Sequence, residues 1–384
     1  MAGNSNQQDG INRRRYLGLA AAVAVAGCSE AASSRVPSDT ATNTTASTSG
    51  TATETATDTP TATDSAARNT ETTDAPSETG IESSADATET DSTAQHIAAA
   101  QDALAAAYSA FLTEGDEDAL ADVTAASYPF KNDEVLAAID DADRTLGWAA
   151  ASRSTPKQEQ TIAELESMAR FLETIAREQE RLATAYWWVE DVRDKFFEEA
   201  HSTLGDYLDA AVAIGSDTER ALDDLEATID ASAARSVEPL DAAAVSDKIE
   251  QMRAEIETID DMKQAFDPGI DGLVHLWDAV RAYNLGNYSV AMSEYGEAAD
   301  DFGDAVGKFE DLDPTPAFES NVEGMADATA VLEPGCNDLA TAAAGKADGA
   351  DTLADWQITL AHEQFDSNDD VADMPSITDG PGGD

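Results

Sequence analysis

Basic residues, cysteines and histidines are scarce in this chain of 384 residues. It carries 22 Lys and Arg against 77 Asp and Glu, with two cysteines and four histidines. The formal net charge of −55 leaves no basic stripe to neutralise phosphates, which argues against nucleic-acid binding. Few histidines and cysteines leave little material for catalysis, and no nucleophile elbow, phosphate loop, zinc spacing or dinucleotide fingerprint occurs.

The apolar stretch near the N-terminus is short. It runs from Tyr16 to Ala26, about half of the roughly 20 residues that a membrane-spanning helix needs. A basic start precedes it and small residues follow it, ending at Cys28. This three-part order is typical of a processed export signal, and we expect residues 1–28 to be one.

Two motifs in this segment resemble known export and anchoring signals. The order Arg13-Arg14-Arg15-Tyr16-Leu17 resembles the twin-arginine signal, and Val25-Ala26-Gly27-Cys28 resembles a lipobox. The first resemblance implies export of an already folded chain, with Arg13 and Arg14 as the recognised pair. The second implies cleavage before Cys28 and a lipid on its thiol. Ordinary cleavage without a lipid is the alternative.

The acidic composition indicates the environment in which such a lipoprotein works. Removal of residues 1–28 would leave 76 acidic and 19 basic residues. A dense acidic surface with few lysines resembles the proteins of extreme halophiles. Together the features resemble a haloarchaeal cell-surface lipoprotein, held at the extracytoplasmic face of the membrane by the lipid on Cys28.

Residues 29–95 are rich in Thr, Ser and Ala and nearly free of large apolar side chains. No core can form from this composition, so we expect a disordered acidic tether. Asn43-Thr44-Thr45 within it is a candidate N-glycosylation triplet. Cys336, outside the tether, is expected to be a small buried hydrophobe rather than a reactive thiol.

From residue 96 to 365 the apolar residues recur with helical spacing and almost no strand signal, which predicts an all-α domain. Thr155-Pro156 is typical of a helix start, and the seam after it predicts one long coiled-coil-like helix ending at Gly205 or Gly215. Pro268 could divide the domain in two. Residues 366–384 are expected to form a disordered acidic tail.

The cleanest periodic seam of the chain alternates aromatic residues with alanine at steps of three and four. We expect these aromatic side chains to fit between the small residues of a close neighbour. Its members are Tyr288, Ala291, Tyr295, Ala298, Phe302, Ala305 and Phe309. Residues 277–298 also resemble part of a tetratricopeptide repeat, but the match is partial and a generic helical hairpin is favoured.

Trp187 and Trp188 are the candidate partner-binding residues. Neighbouring residues of a helix point about 100° apart, so the two rings cannot share one face. Either this helix is buried on two sides, or one ring belongs to an exposed aromatic recognition surface.

No catalytic residue, cofactor or dedicated metal site is predicted. The Glu198-x-x-His201 spacing lacks the second copy that a di-iron bundle needs. A calcium loop that started at Asp366 would have Val371 and Ile377 where glycine and glutamate are required. These features favour a non-enzymatic surface lipoprotein whose helical body binds a protein partner. A substrate-capture lipoprotein of a transport system is the alternative, and a metal-dependent enzyme is a third hypothesis.

Overall fold

The computed structural model describes residues 83–152, 154–199 and 201–381, with side chains from residue 92 onwards. Arg13, Arg14, Cys28 and Asn43 lie outside these residues. The described part of the chain is 83% helical without a strand, so the predicted all-α bundle is confirmed. None of its helices is long and apolar enough to cross a membrane.

Ten α-helices and two 3₁₀ turns follow one another along the described residues. The 3₁₀ turns lie at Leu120–Asp122 and Ala231–Ser236. The α-helices are α1 Ser83–Gly115, α2 Asp133–Ala151, α3 Pro156–Phe197, α4 His201–Glu226, α5 Ala242–Asn284, α6 Tyr288–Glu310, α7 Glu319–Ala347, α8 Asp351–Phe365, α9 Asp369–Ala372 and α10 Pro375–Thr378.

Each long helix packs on the next in sequence. Two helices run through the middle. The 42-residue α3 contacts α1, α2, α4, α5 and α7, and the 43-residue α5 contacts α3, α4, α6 and α7. At 1.5 Å per residue each is about 63–65 Å long. These two central helices carry most of the buried polar side chains described below.

Several predicted features of the helices are confirmed. Thr155 caps α3, because its side chain accepts a hydrogen bond from Gln158 N at 3.3 Å and Pro156 follows at the first helical position. Cys336 is fully buried, and burial raises the pKa of its thiol. Six of the seven seam residues of α6 are buried; Tyr288, at the start of the helix, is partly exposed.

The ends of the central helices differ from the expectation. Helix α3 ends at Phe197, before both glycines, and the chain turns at Glu199, which adopts a φ of +55°. Gly205 and Gly215 lie inside α4 instead, where Gly215 lets Ile256 approach closely. Helix α5 continues through Pro268, and the described residues lie in one compact unit, so no subdivision occurs there.

The two ends of the domain also differ from the expectation. Helix α1 begins at Ser83, inside the segment assigned to the tether. Residues 366–381 fold back as α9 and α10 rather than forming a disordered tail, because Val371, Met374 and Ile377 are buried. Glu199 helps to hold this segment, since its Oε1 accepts hydrogen bonds from the backbone N at 2.9 Å and from the hydroxyl of Ser376.

Candidate functional site

Four aromatic rings from three parts of the chain form a continuous cluster at the surface. Trp187 and Trp188 come from α3, Tyr207 comes from α4, and Tyr128 comes from the segment before α2. We call these four residues the aromatic cluster. The ring centroids of Tyr128 and Trp187 lie 6.4 Å apart, those of the two tryptophans 4.8 Å, and those of Trp188 and Tyr207 4.7 Å.

The two tryptophans make different contacts, because successive residues of a helix point in different directions. Trp188 packs against the hydrophobic core and stacks on Tyr207 with an interplanar angle of 27°. Trp187 stacks on Tyr128 at 21°, and the Tyr128 side chain is 50% exposed. Neither tryptophan is fully buried. The structure therefore combines the two alternatives predicted from the sequence. The helix is covered on two sides, and part of the ring surface still faces solvent.

One cation adjoins the aromatic cluster. Lys195 Nζ lies 5.6 Å from the centroid of the Tyr207 ring, within the range of a cation–π contact. It also pairs with Asp191 at 2.8 Å, and this hydrogen bond raises the pKa of Lys195. The ring surface thus ends at the ammonium group of Lys195, which Asp191 of the same helix, α3, holds in place.

The segment that carries Tyr128 is fixed from beneath by a buried polar cluster. Lys248 Nζ donates to Val123 O at 2.6 Å, and Gln179 Nε2 donates to Thr124 O at 2.8 Å. The backbone N of Ala125 donates to Glu255 Oε1 at 2.8 Å. Three consecutive residues are therefore bonded to side chains of α3 and α5. We call Gln179, Lys248 and Glu255 the loop clamp.

The ammonium group of Lys248 is the centre of the loop clamp. Besides Val123 O, it donates to Gln179 Oε1 at 2.6 Å and to Gln251 Oε1 at 2.7 Å. Burial lowers the pKa of Lys248, but three acceptors match the three N–H donors of the charged form, and we conclude that the ammonium persists. Burial also raises the pKa of Glu255, against the attraction of Lys248.

A second group of titratable side chains joins α5 to α6. His275 Nδ1 lies 2.9 Å from Glu294 Oε2 and 3.4 Å from Glu297 Oε2, and its Nε2 lies 3.7 Å from Asp301 Oδ2. The hydrogen bond to Glu294 and the nearby carboxylates raise the pKa of His275. His275, Glu294 and Glu297 are also the described residues whose ligand atoms could hold a metal ion. The expectation of no dedicated metal site stays a prediction.

The sequence predicts the two tryptophans of the aromatic cluster. It does not predict the tyrosines of that cluster, the loop clamp or the carboxylates that face His275. Tyr128 stands in a non-helical segment, and no local pattern places it against α3. Lys248 and Glu255 are seven residues apart, which puts them on one helix face, but such pairs are common in a chain so rich in acidic residues. The carboxylates opposite His275 come from the next helix, so only the tertiary structure brings them together.

Comparison with known proteins supplies no relative. No protein-family model, curated protein or solved structure matches the chain. Function must therefore be inferred from the residues and their geometry.

Proposed function

We propose that this protein is a surface lipoprotein whose helical body binds a protein partner through the aromatic cluster. The signal and lipobox resemblances of residues 1–28 support export and a lipid on Cys28. The composition of residues 29–82, which precede the start of α1 at Ser83, supports a spacer between the lipid and the body. The proposed activity is recognition, not catalysis.

The observation that carries the binding proposal is the continuity of the aromatic cluster. Four rings in contact, one of them half exposed, offer a rigid apolar surface whose ordering cost has already been met within the fold. Trp148 and Trp356 are exposed to a similar degree, at 52% and 55%. Trp148, however, has only His96 as a described ring neighbour.

Charge limits the partner that fits this surface. The body is strongly acidic, so a second copy would meet it with like charge. A partner that places apolar side chains on the rings and basic groups around them would be attracted instead. We therefore propose a different protein, with a basic rim around its contact site, rather than self-association.

The test is capture of partners by cross-linking on intact membranes in molar KCl. The full chain should recover a partner, and a Tyr128→Ala, Trp187→Ala double variant should recover it at least about tenfold less, as expected for loss of a central aromatic anchor. Trp148→Ala removes a tryptophan that is as exposed as Tyr128 but lies outside the aromatic cluster, and it should leave recovery unchanged. Equal recovery by all three forms would rule out the aromatic cluster as the binding surface.

A further inference from the structure

A cleft of about 500 Å³ lies beside the loop clamp, and Glu255 forms part of its lining. Three parts of the chain line it: residues 117–126, the middle of α5, and residues 315–317 between α6 and α7. We call it the α5 cleft. Its size is within the usual range for small-molecule sites. It shares no residue with the aromatic cluster.

Unpartnered polar atoms lie at the floor of the α5 cleft. Glu255 is fully buried, and while its Oε1 accepts from Ala125, its Oε2 has no hydrogen-bond partner. Thr315 Oγ1 is also buried and without a partner. The Gln251 amide lies beside the carboxylate and lowers its pKa, although Gln251 Nε2 forms no hydrogen bond. An unsatisfied buried oxygen is unfavourable, so a donor supplied from the cleft would be favoured.

The charged side chains that line the α5 cleft are all acidic. Glu117 and Asp122 are exposed at its rim, and Glu255 is buried at its floor. None of the described lining residues is a lysine or an arginine. The nearby Lys248 donates to three acceptors, one of them on the lining residue Gln251, and its single positive charge leaves the three carboxylates in excess. A cation is therefore the ligand that this lining attracts.

Part of the α5 cleft lining, which we call the apolar wall, consists of small apolar side chains. Ala254 on α5 and Pro316 and Ala317 in the connection between α6 and α7 contribute to it. An inorganic ion would leave this wall unused, whereas methylene groups could lie along it. Several carboxylates and an apolar wall in one lining match a short methylene chain that carries positive charges.

We propose that the α5 cleft binds a short linear diammonium ion. One ammonium group donates to Glu255 Oε2 and Thr315 Oγ1 at the floor. The methylene chain lies against Ala254 and Pro316, and the second ammonium group faces Glu117 and Asp122 at the rim. This proposal goes beyond recognition of a protein partner and does not depend on it.

The test is isothermal titration calorimetry of the full chain with 1,4-diaminobutane in molar KCl, where diffuse attraction to the acidic surface is screened. We expect saturable binding at one site, and clearly weaker binding of n-butylamine and of 1,4-butanediol. No binding of the diamine would refute the proposal. Equal binding of n-butylamine, or tighter binding of Mg²⁺ in its place, would refute the diammonium assignment.

Matched variants distinguish binding in the α5 cleft from diffuse attraction to the acidic surface. Glu255→Gln should weaken diamine binding at least about tenfold, the loss expected for one charged hydrogen bond. Glu257→Gln removes an exposed carboxylate from the same helix, outside the α5 cleft lining, and should change nothing. If Glu257→Gln weakens binding as much as Glu255→Gln, the attraction is diffuse and the proposal fails.

If Glu255→Gln does not fold, a second variant tests whether the diamine binds in the α5 cleft. Ala254→Leu keeps every charge, suits a helix, and fills the apolar wall. It should retain the helical circular dichroism of the parent chain and lose diamine binding. Unchanged binding by folded Ala254→Leu would show that the diamine binds elsewhere.

Discussion

At the scale of single residues, Lys248 connects the core to the surface. Its ammonium group is fully buried, and its bond to Val123 O helps to hold the segment that presents Tyr128. Removing one member of a buried charged pair leaves the other uncompensated. Loss of Lys248 should therefore affect both stability and the aromatic cluster.

Lys248→Met should lower the free energy of unfolding by about 3–5 kcal/mol, because three acceptors lose their donor and the buried Glu255 loses the attraction of a cation. It should also change tryptophan fluorescence, since Tyr128 would no longer be held against Trp187. Lys263→Met is the control on the same helix. Its ammonium pairs with Asp267 at 3.0 Å on a partly exposed side chain, so its loss should cost at most about 1 kcal/mol. Similar denaturation curves for the two variants would contradict the loop clamp.

His275 gives the protein a pH-dependent contact between α5 and α6. The carboxylates that face it are Glu294, Glu297 and Asp301, with Asp271 acting on Asp301. Because the folded pKa of His275 is raised, its contribution is complete below its unfolded pKa of about 6.5 and is lost as the pH rises through the folded value. The stabilisation therefore belongs to the acidic side of this window.

Thermal melts of the parent and of His275→Gln at several pH values measure this contribution. The parent should exceed the variant in Tm at mildly acidic pH, and the difference should shrink as the pH rises above neutral. Glu294→Gln removes the main cause of the raised pKa, so in that background the difference should disappear at a lower pH. A difference in Tm that is constant with pH would contradict the predicted contact.

At the scale of helices, close backbone approach determines where α7 and α8 can pack. Gly335 of α7 lies directly beneath the ring of Phe365 of α8, and a Cβ at this position would clash with the ring. Gly324 lies on the same helix with nothing within 4 Å of a Cβ. The two glycines therefore provide a matched pair for testing the α7–α8 contact.

Gly335→Ala should destabilise the protein by about 1–3 kcal/mol, as overpacking of a core does, while Gly324→Ala should stabilise it by up to about 1 kcal/mol through helix propensity. Chemical denaturation of the two variants checks both signs. Equal effects would show that α8 does not pack on Gly335 as described.

Helix boundaries were the least predictable part of the fold. The periodic seams of α3, α5 and α6 place their buried faces correctly, because apolar spacing reports burial directly. The breaks predicted at Pro268 and Gly215 are wrong, because residue propensity alone does not report packing. Packing on both sides of α5 outweighs the one hydrogen bond that Pro268 removes, and Gly215 serves the contact with Ile256. Nothing local distinguishes Glu199, where the chain turns.

At the scale of the whole molecule, the net charge of −55 opposes the compact state. Self-repulsion of this size is relieved by counterions, so the Tm should rise by many degrees between dilute buffer and molar KCl. Sucrose in place of salt should not reproduce a rise of this size, because it does not screen charge. A Tm that is independent of salt would contradict this account of the acidic surface.

Composition and periodicity were enough for the fold class, but not for the site. Acidic residues are so numerous that local spacing cannot separate Glu255, which is buried, from Glu257, which is exposed. The α5 cleft depends on three segments that lie 60 or more residues apart in sequence, and the aromatic cluster needs Tyr128 from outside the helices. Only long-range packing brings such groups together.

The central proposal, a helical body held at the membrane by its N-terminus, is tested most directly by Cys28→Ser. Cells producing the parent and the variant would be fractionated in molar KCl, and the helical content of each purified protein measured by circular dichroism. We predict that the parent stays with the membrane, and that the variant is released with its helices intact. A variant that remains in the membrane fraction would contradict the proposal.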